Sequence, residues 1–373
     1  MRLCSVTFLK GDVQMKKKRI GVIFGGQSGE HEVSLMSSTS IIKVIDREKY
    51  DVVMIGITKN GEWLLYNGDV DKIKSGEWEK EGIRAFFPPN ANYKGLITFS
   101  NGKEEFHPLD IVFPVLHGPR GEDGTIQGLF EISQIPYVSS GVMSSALGMD
   151  KFFSKKLFDH AGLPIVKYKV FHKKEILLDI ETIIQIVERD LGYPCFVKPC
   201  NLGSSVGVSK AHNRPELIDA LQIASKYDRR VLVEEFVKAR EIELSVFGNN
   251  EPKVSIPGEI IPSNEFYDYV AKYFDGGKTK LIIPAPLSES VIKRFQELAL
   301  KAYRALDCSI YARVDFFYNE EQDKIYVNEL NTIPGFTHAS MYPKLWEATG
   351  ISYPQLINKL IDLAFERYEE IKQ

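Results

Sequence analysis

Apolar and polar positions follow one rhythm in the first 150 residues and another in the rest. In the first part, single apolar runs alternate with helical stretches. Residues 20–24 form a short apolar run that enters Gly25-Gly26-Gln27-Ser28-Gly29-Glu30, and a helical stretch follows to about Asp46. Residues 51–58 alternate as a second strand, closed by Asn60-Gly61, a strong hairpin-turn pair. Residues 111–116 are continuously apolar and end in His117-Gly118, as expected of a buried parallel strand that stops at a site. Residues 66–105 are polar, broken by Gly and Pro, and show no clear period. The pattern predicts a small doubly wound α/β domain over 18–140. Residues 1–17 read as a disordered leader, with Met15 a candidate start.

From about residue 151 strands come in pairs with hairpin-like spacing: 194–199 with 206–210, 231–236 with 241–247, and 311–318 with 324–331. Helices are expected at about 179–190, 214–226 and 288–306, and an amphipathic one over 353–371. Paired strands with intervening helices predict antiparallel sheets covered on one face, an α+β arrangement. We expect a central domain over 141–240 and a C-terminal one over 241–373. Residues 262–280, rich in Tyr, Gly and Lys, are long for a loop without periodicity, a length that usually signals function.

Composition narrows the partners. The 373 residues allow two or three domains sharing a site. With 47 Lys and Arg against 50 Asp and Glu, the chain lacks the basic excess of a nucleic-acid binder. Apolar runs such as 111–116 and 281–287 are far shorter than the roughly 20 residues a membrane helix needs. The four cysteines make no disulfide framework, and Cys195 and Cys200 lack the second pair that a zinc site requires, so reduced thiols in a cytoplasmic protein are expected.

Several familiar motifs fail. Gly25-Gly26-x-x-Gly29 is not G-x-G-x-x-G, and the next strand ends in Thr58 rather than an acid, which argues against a nicotinamide cofactor. Gly277-Lys278-Thr279 ends like a Walker A loop, but Lys272 stands where its first glycine belongs. Gly203-Ser204-Ser205-Val206-Gly207 fits the G-x-S-x-G hydrolase pattern with Ser205 as nucleophile. That motif needs a strand–turn–helix, however, and 206–210 alternates like a strand. The same segment reads either as a flexible hairpin or as a phosphate-cradling loop, with Lys198 supplying a point charge.

The acidic residues beyond 310 are more informative. A strand period of two puts Arg313 and Asp315 on one face, and Glu329 and Asn331 likewise share one. A short connection between the strands would bring these oxygens together as hard ligands for Mg²⁺, with substrate phosphates completing the shell. The alternative is a solvated, charged sheet face. Next comes Thr332-Ile333-Pro334-Gly335-Phe336-Thr337, a loop suited to presenting backbone N–H groups. The run 231–237 is apolar with Glu234 and Glu235 near its end, followed by Arg240-Glu241. It could hold a base edge with an acid on the ribose, or be a plain strand.

Taken in order, several motifs resemble the D-alanine–D-alanine ligase family of ATP-grasp enzymes: Gly25-Gly26-Gln27-Ser28-Gly29-Glu30-His31-Glu32-Val33-Ser34, His117-Gly118-x-x-Gly121-Glu122-Asp123-Gly124, Met149-Asp150-Lys151, Val197-Lys198-Pro199 with Gly203-Ser204-Ser205-Val206-Gly207, Arg313-x-Asp315, and Asn328-Glu329-Leu330-Asn331-Thr332-x-Pro334-Gly335. The resemblance runs from about Lys18 to the C-terminus. It implies an ATP-grasp fold, in which the α/β domain precedes two antiparallel-sheet domains clasping ATP. By the same resemblance, Lys151 and Lys198 bind ATP phosphates with Ser204 and Ser205, Glu234 and Val237 meet the adenine, and Glu241 holds the ribose. Asp315, Glu329 and Asn331 would carry two Mg²⁺ ions, for which Mn²⁺ can substitute. Glu30 would take the ammonium of the first D-alanine and His117 lie near its carboxylate. Arg313 and Gly335 would stabilise the oxyanion, and Ser340 and Met341 receive the second D-alanine. Ser204, Lys272 and Tyr273 would belong to a closing lid. Implied partners are D-alanine and ATP, with a homodimer as the assembly. A D-alanine–D-lactate ligase on the same fold and a serine hydrolase are the alternatives.

Overall fold

In a computed structural model the described residues are 16–262 and 279–372. Residues 1–15 of the expected leader, and Lys272 and Tyr273 with most of the expected lid loop, lie outside them.

The N-terminal part is a seven-stranded sheet of order β6-β5-β4-β3-β2-β1-β7. β1 (Lys18–Gly25) runs parallel to β2 (Tyr50–Ile57) and to β7 (Ile111–Pro114). This is the doubly wound portion. The helix His31–Val44 packs Leu35, Ile41 and Ile42 on one face with Ile20, Val22 and Phe24. The helix Thr125–Ile132 packs Ile126 and Phe130 on the other face with Ile23, Ile55 and Val112. The alternation of these apolar residues along β1 fixes which helix each one meets. The Asn60-Gly61 turn joins β2 to the antiparallel β3 (Trp63–Tyr66) as expected, and the stretch without a period contributes β4 (Ile83–Phe86), β5 (Gly95–Ser100) and β6 (Lys103–Pro108), also antiparallel. They are short, and Phe86, Phe99 and Phe106 are exposed at 50%, 48% and 42%, so no clean apolar-in, polar-out rhythm marks them.

The central sheet has the order β10-β9-β11-β8, from β8 (Tyr168–His172), β9 (Cys195–Pro199), β10 (Ser209–Ala211) and β11 (Arg230–Glu235), all antiparallel. The helices Ile180–Asp190 and Arg214–Tyr227 cover one face. The C-terminal sheet comprises β12 (Arg240–Phe247), β13 (Lys253–Val254), β14 (Gly258–Ile261), β15 (Lys280–Ile282), β16 (Tyr311–Asn319) and β17 (Lys324–Asn331), backed by the helix Glu289–Ala305. One expected pairing is overturned. β11 and β12 do not form a hairpin; each joins a different sheet, and residues 236–239 carry the chain from one to the other. Two alternating runs four residues apart announce strands, but the runs themselves do not state a partner.

Candidate active site

The two antiparallel sheets line opposite sides of a cavity of about 980 Å³, and loops of the N-terminal part border it. On the central side the alternation of β9 and β11 does the sorting. Cys195, Val197, Val231 and Val233 enter the core under the helices, which leaves Phe196, Lys198 and Glu234 on the cavity face. Lys198 Nζ is 2.6 Å from Glu234 Oε2, and Lys155 Nζ, from the helix Lys151–His160, is 2.6 Å from Oε1. Burial would raise the Glu234 carboxyl, but the two ammonium groups bring it down to about 2. Burial pulls Lys198 downward, yet Glu234 outweighs it and the pKa ends raised. At Lys155 burial wins, and its pKa is lowered.

Asp150 caps the helix by accepting the Phe152 and Phe153 N–H groups, which places Lys151 at its first turn. Lys151 Nζ donates to Leu202 O at 2.8 Å and lies 3.5 Å from Glu329 Oε2, reaching from one wall to the other. In the β9–β10 connection Ser204 and Ser205 have φ of 50° and 56°, two consecutive side-chain-bearing residues in the left-handed region. The Ser204 hydroxyl donates to Glu30 of the N-terminal part. The segment after Ser205 leads to strand β10, not to a helix, so it lacks the context of a hydrolase nucleophile.

On the C-terminal side the register lines up two rows across three strands. Glu243, Asp315 and Glu329 are directly opposed, and beside them run Ser245, Arg313 and Asn331. A β-bulge at Asn328 makes this possible. Ile325 and Val327 face the core, so uninterrupted alternation would send Glu329 and Asn331 there too; the irregularity turns them to the cavity. Arg313 donates to Asp315 through Nε and Nη2, both at 2.7 Å, and its Nε is 2.9 Å from Glu243 Oε2. Burial opposes its charge, but these carboxylates hold its pKa well above the ordinary value. Asn331 Nδ2 donates to Asp315 Oδ2 at 3.0 Å. Asp315, Glu329 and Asn331 thus offer an all-oxygen donor set that suits Mg²⁺. Among the described residues no three His, Cys, Asp or Glu side chains form a cluster able to hold an ion, so phosphate oxygens would be needed beside these three.

The N-terminal loops close the third side. Glu30 is at the N-cap of the helix His31–Val44, next to Gly118, whose φ of 73° and missing Cβ allow approach; a Cβ there would stand 2.7 Å from Glu30 Oε2. His117 is buried, with Nδ1 2.9 Å from Ile333 O and Nε2 3.1 Å from Ser37 Oγ, and burial lowers its pKa. Glu122 accepts the N–H groups of Gly118 at 2.7 Å and Ile333 at 3.2 Å. Burial and the nearby Glu30 raise its pKa to about 8. Ser340 stands at the N-cap position of the helix Met341–Ala348, and its hydroxyl accepts from Thr337 N at 3.0 Å rather than from the helix.

Of the residues singled out in the sequence, Glu30, His117, Lys151, Lys198, Ser204, Ser205, Glu234, Val237, Glu241, Arg313, Asp315, Glu329, Asn331, Gly335, Ser340 and Met341 all border this one cavity. Lys155, Glu122 and Glu243 were not singled out. Lys155 follows Lys151 by one helical turn and Glu243 follows Glu241 by one strand period, so both spacings were there to be read.

The D-ala D-ala ligase N-terminus model matches residues 19–140, and the D-ala D-ala ligase C-terminus model matches 157–362. A D-alanine--D-alanine ligase of Thermoanaerobacter sp. (strain X514) is 59% identical over 356 residues, 95% of this chain and 99% of that one. Another, of Acetivibrio thermocellus, is 54% identical over 367 residues, covering 95% and 97%. Among solved structures, the VanG D-Ala:D-Ser ligase from Enterococcus faecalis superposes with a TM-score of 0.85 at 39% identity, covering 94% of this chain and all of that one. The D-alanine-D-alanine ligase from Coxiella burnetii gives 0.82 at 35%, covering 95% and 97%. With both halves matched and the two sheets facing across one cavity, this chain belongs to the D-alanine–D-alanine ligase family and has the ATP-grasp fold.

Proposed function

We propose that the chain joins two D-alanine molecules to D-alanyl-D-alanine at the expense of ATP, releasing ADP and phosphate, for peptidoglycan precursor synthesis. The observation that carries this reading is the pairing of walls: Lys198 on one sheet, with Lys151 on the helix beside it, faces a carboxylate and amide row on the other, and the Glu30–Ser204 contact spans the opening. A carboxylate is a poor electrophile, so the first D-alanine attacks the γ-phosphorus, ADP leaves, and an acyl phosphate results. The free amine of the second D-alanine then attacks the acyl carbon, the C–O bond to phosphate breaks, and a peptide bond forms. Both steps gather negative charge on oxygen, which calls for cations and aimed N–H groups rather than a nucleophilic side chain.

In this scheme Lys151, Lys198 and the Ser204-Ser205 loop hold phosphates, Glu234 and the backbone at Val237 meet adenine, and Glu241 takes the ribose. Asp315, Glu329 and Asn331 would hold two Mg²⁺, which would supply charge neutralisation at the transferring phosphoryl group. Glu30 binds the first ammonium and His117 supports its carboxylate. Arg313 and the Gly335 N–H receive the oxyanion. Ser340 and the N-terminus of the helix at Met341 receive the second carboxylate. Lys272 and Tyr273 are assigned to a lid over an intermediate that water would otherwise hydrolyse. We further propose domains at 18–140, 141–240 and 241–373, a homodimer, and a cytoplasmic setting. No described helix is long and apolar enough to cross a membrane.

Mass analysis of products from ATP, Mg²⁺ and D-alanine, with D-lactate and D-serine as competitors, tests this reading. Dipeptide formed in step with ADP and phosphate is expected. Dominance of the ester or the mixed D-alanyl-D-serine would reassign the second substrate, and ATP-independent ester cleavage would restore the hydrolase.

A further inference from the structure

Lys155 is a buried cation that the scheme above does not use. It is 1% exposed, and its Nζ is 2.6 Å from Glu234 Oε1 while Lys198 Nζ is 2.6 Å from Oε2. One carboxylate therefore holds two ammonium groups. They are not equivalent: Glu234 and Lys198 border the cavity, whereas Lys155 stands behind Glu234 with the Tyr168 ring 5.8 Å from its Nζ. A bound nucleotide can draw Lys198 away, but it cannot reach Lys155. Packing alone does not call for a lysine here, because burying an ammonium is costly and an unbranched apolar side chain would fill the same space.

From this geometry we infer that Lys155 is the positioning residue for Glu234, and that it keeps this carboxylate ionised and oriented when Lys198 turns to the nucleotide. The inference rests on the ATP reading of the cavity. Glu234 is the penultimate residue of β11, just before residues 236–239 cross to the other sheet, where a base would lie between the walls. A fixed carboxylate accepts from an exocyclic amino group, as on adenine, and repels the carbonyl oxygen at the same position of guanine. Lys155 thereby contributes to base selection without touching the base.

Titration calorimetry of the full chain with ADP and with GDP in the presence of Mg²⁺ separates this from a purely structural role, together with KM for ATP, KM for D-alanine and kcat. Lys155→Met is expected to weaken ADP binding and raise KM for ATP about tenfold, the loss of one charge-assisted contact. The ADP-over-GDP preference should shrink by a similar factor, with far smaller changes in kcat and in KM for D-alanine. Lys155→Arg should recover most of the preference. Should Lys155→Met fail to fold, the double variant Lys155→Met/Glu234→Gln removes the stranded charge and should fold with the preference lost. A Lys155→Met or double variant that keeps the parent's ADP-over-GDP ratio overturns the inference, as does a parent with no such preference. A parent that binds neither nucleotide overturns the ATP reading itself.

Discussion

The two antiparallel sheets that face each other share an architecture and differ in what they present. The central sheet turns Lys198 and Glu234 to the cavity, with Lys155 behind them, two ammonium groups against that one carboxylate. The C-terminal sheet turns Glu243, Asp315 and Glu329 to the cavity, with Arg313 among them. A triphosphate between such walls would be met directly by cations on one side. On the other side, where carboxylates outnumber Arg313, it could be met through ions that the carboxylates recruit. Similar folds thus yield opposite electrostatics, because each strand has two faces and only one of them is claimed by the core. Lys151, 3.5 Å from Glu329, marks the place where the two fields meet.

This division of labour can be broken by substitution. The largest effect is expected from Glu329→Gln, which keeps volume and removes an anionic ligand. Phosphate release at ordinary Mg²⁺ should fall by more than about a hundredfold, with the melting curve little changed, since even indirect contacts to a metal are worth tenfold or more. Near-normal turnover would deny the C-terminal wall its role. Lys198→Met should instead act on the nucleotide, raising KM for ATP by about tenfold to a hundredfold. If it lowered kcat and spared KM for ATP, the contrast between the walls would be wrong.

Glu30→Gln belongs to neither wall. It should raise KM for the first D-alanine about tenfold while shifting Tm by no more than about 3 °C, because a carboxylate at a helix N-terminus contributes at most about 1 kcal/mol. A larger Tm drop with normal kinetics would make Glu30 a structural cap. The smallest effect concerns pH. Glu122 has a folded pKa of about 8, raised above its ordinary value by burial and Glu30. Between roughly 4.5 and 8 the folded protein holds a proton that the unfolded chain releases, so this group's contribution to stability falls as pH rises through that window. Tm measured against pH for the parent and for Glu122→Gln should show a shallower decline in the variant. Identical slopes would refute the assignment.

Much of this was legible in the chain itself. The β9–β10 and β16–β17 hairpins, the helices that back them, and the sharing of one face by Arg313 and Asp315 and of another by Glu329 and Asn331 follow from period-two alternation and short connections; the bulge at Asn328 that turns the second pair to the cavity does not. The failures have physical reasons. β11 and β12 look like a hairpin because alternation records which faces are buried, not which neighbour supplies hydrogen bonds. β4 to β6 went unseen because Phe86, Phe99 and Phe106 face solvent and the strands are short. Lys155 escaped although its spacing from Lys151 was visible, because a lysine on a helix is ordinarily a surface residue and nothing in that spacing says it turns inward against Glu234.

The bulge at Asn328 sets a rule of parity for this strand. Residues 324–327 count odd positions toward the core, whereas 329–331 count odd positions toward the cavity, so the strand carries two phases joined at one residue. The turn at 320–323 can gain or lose residues without consequence for either phase. Loss of Asn328 alone would bring the two into step and rotate Glu329 and Asn331 into the apolar layer. Length variation in relatives should therefore be free in that turn and forbidden at Asn328, and an alignment that slides a gap across it would exchange cavity-facing positions for core ones.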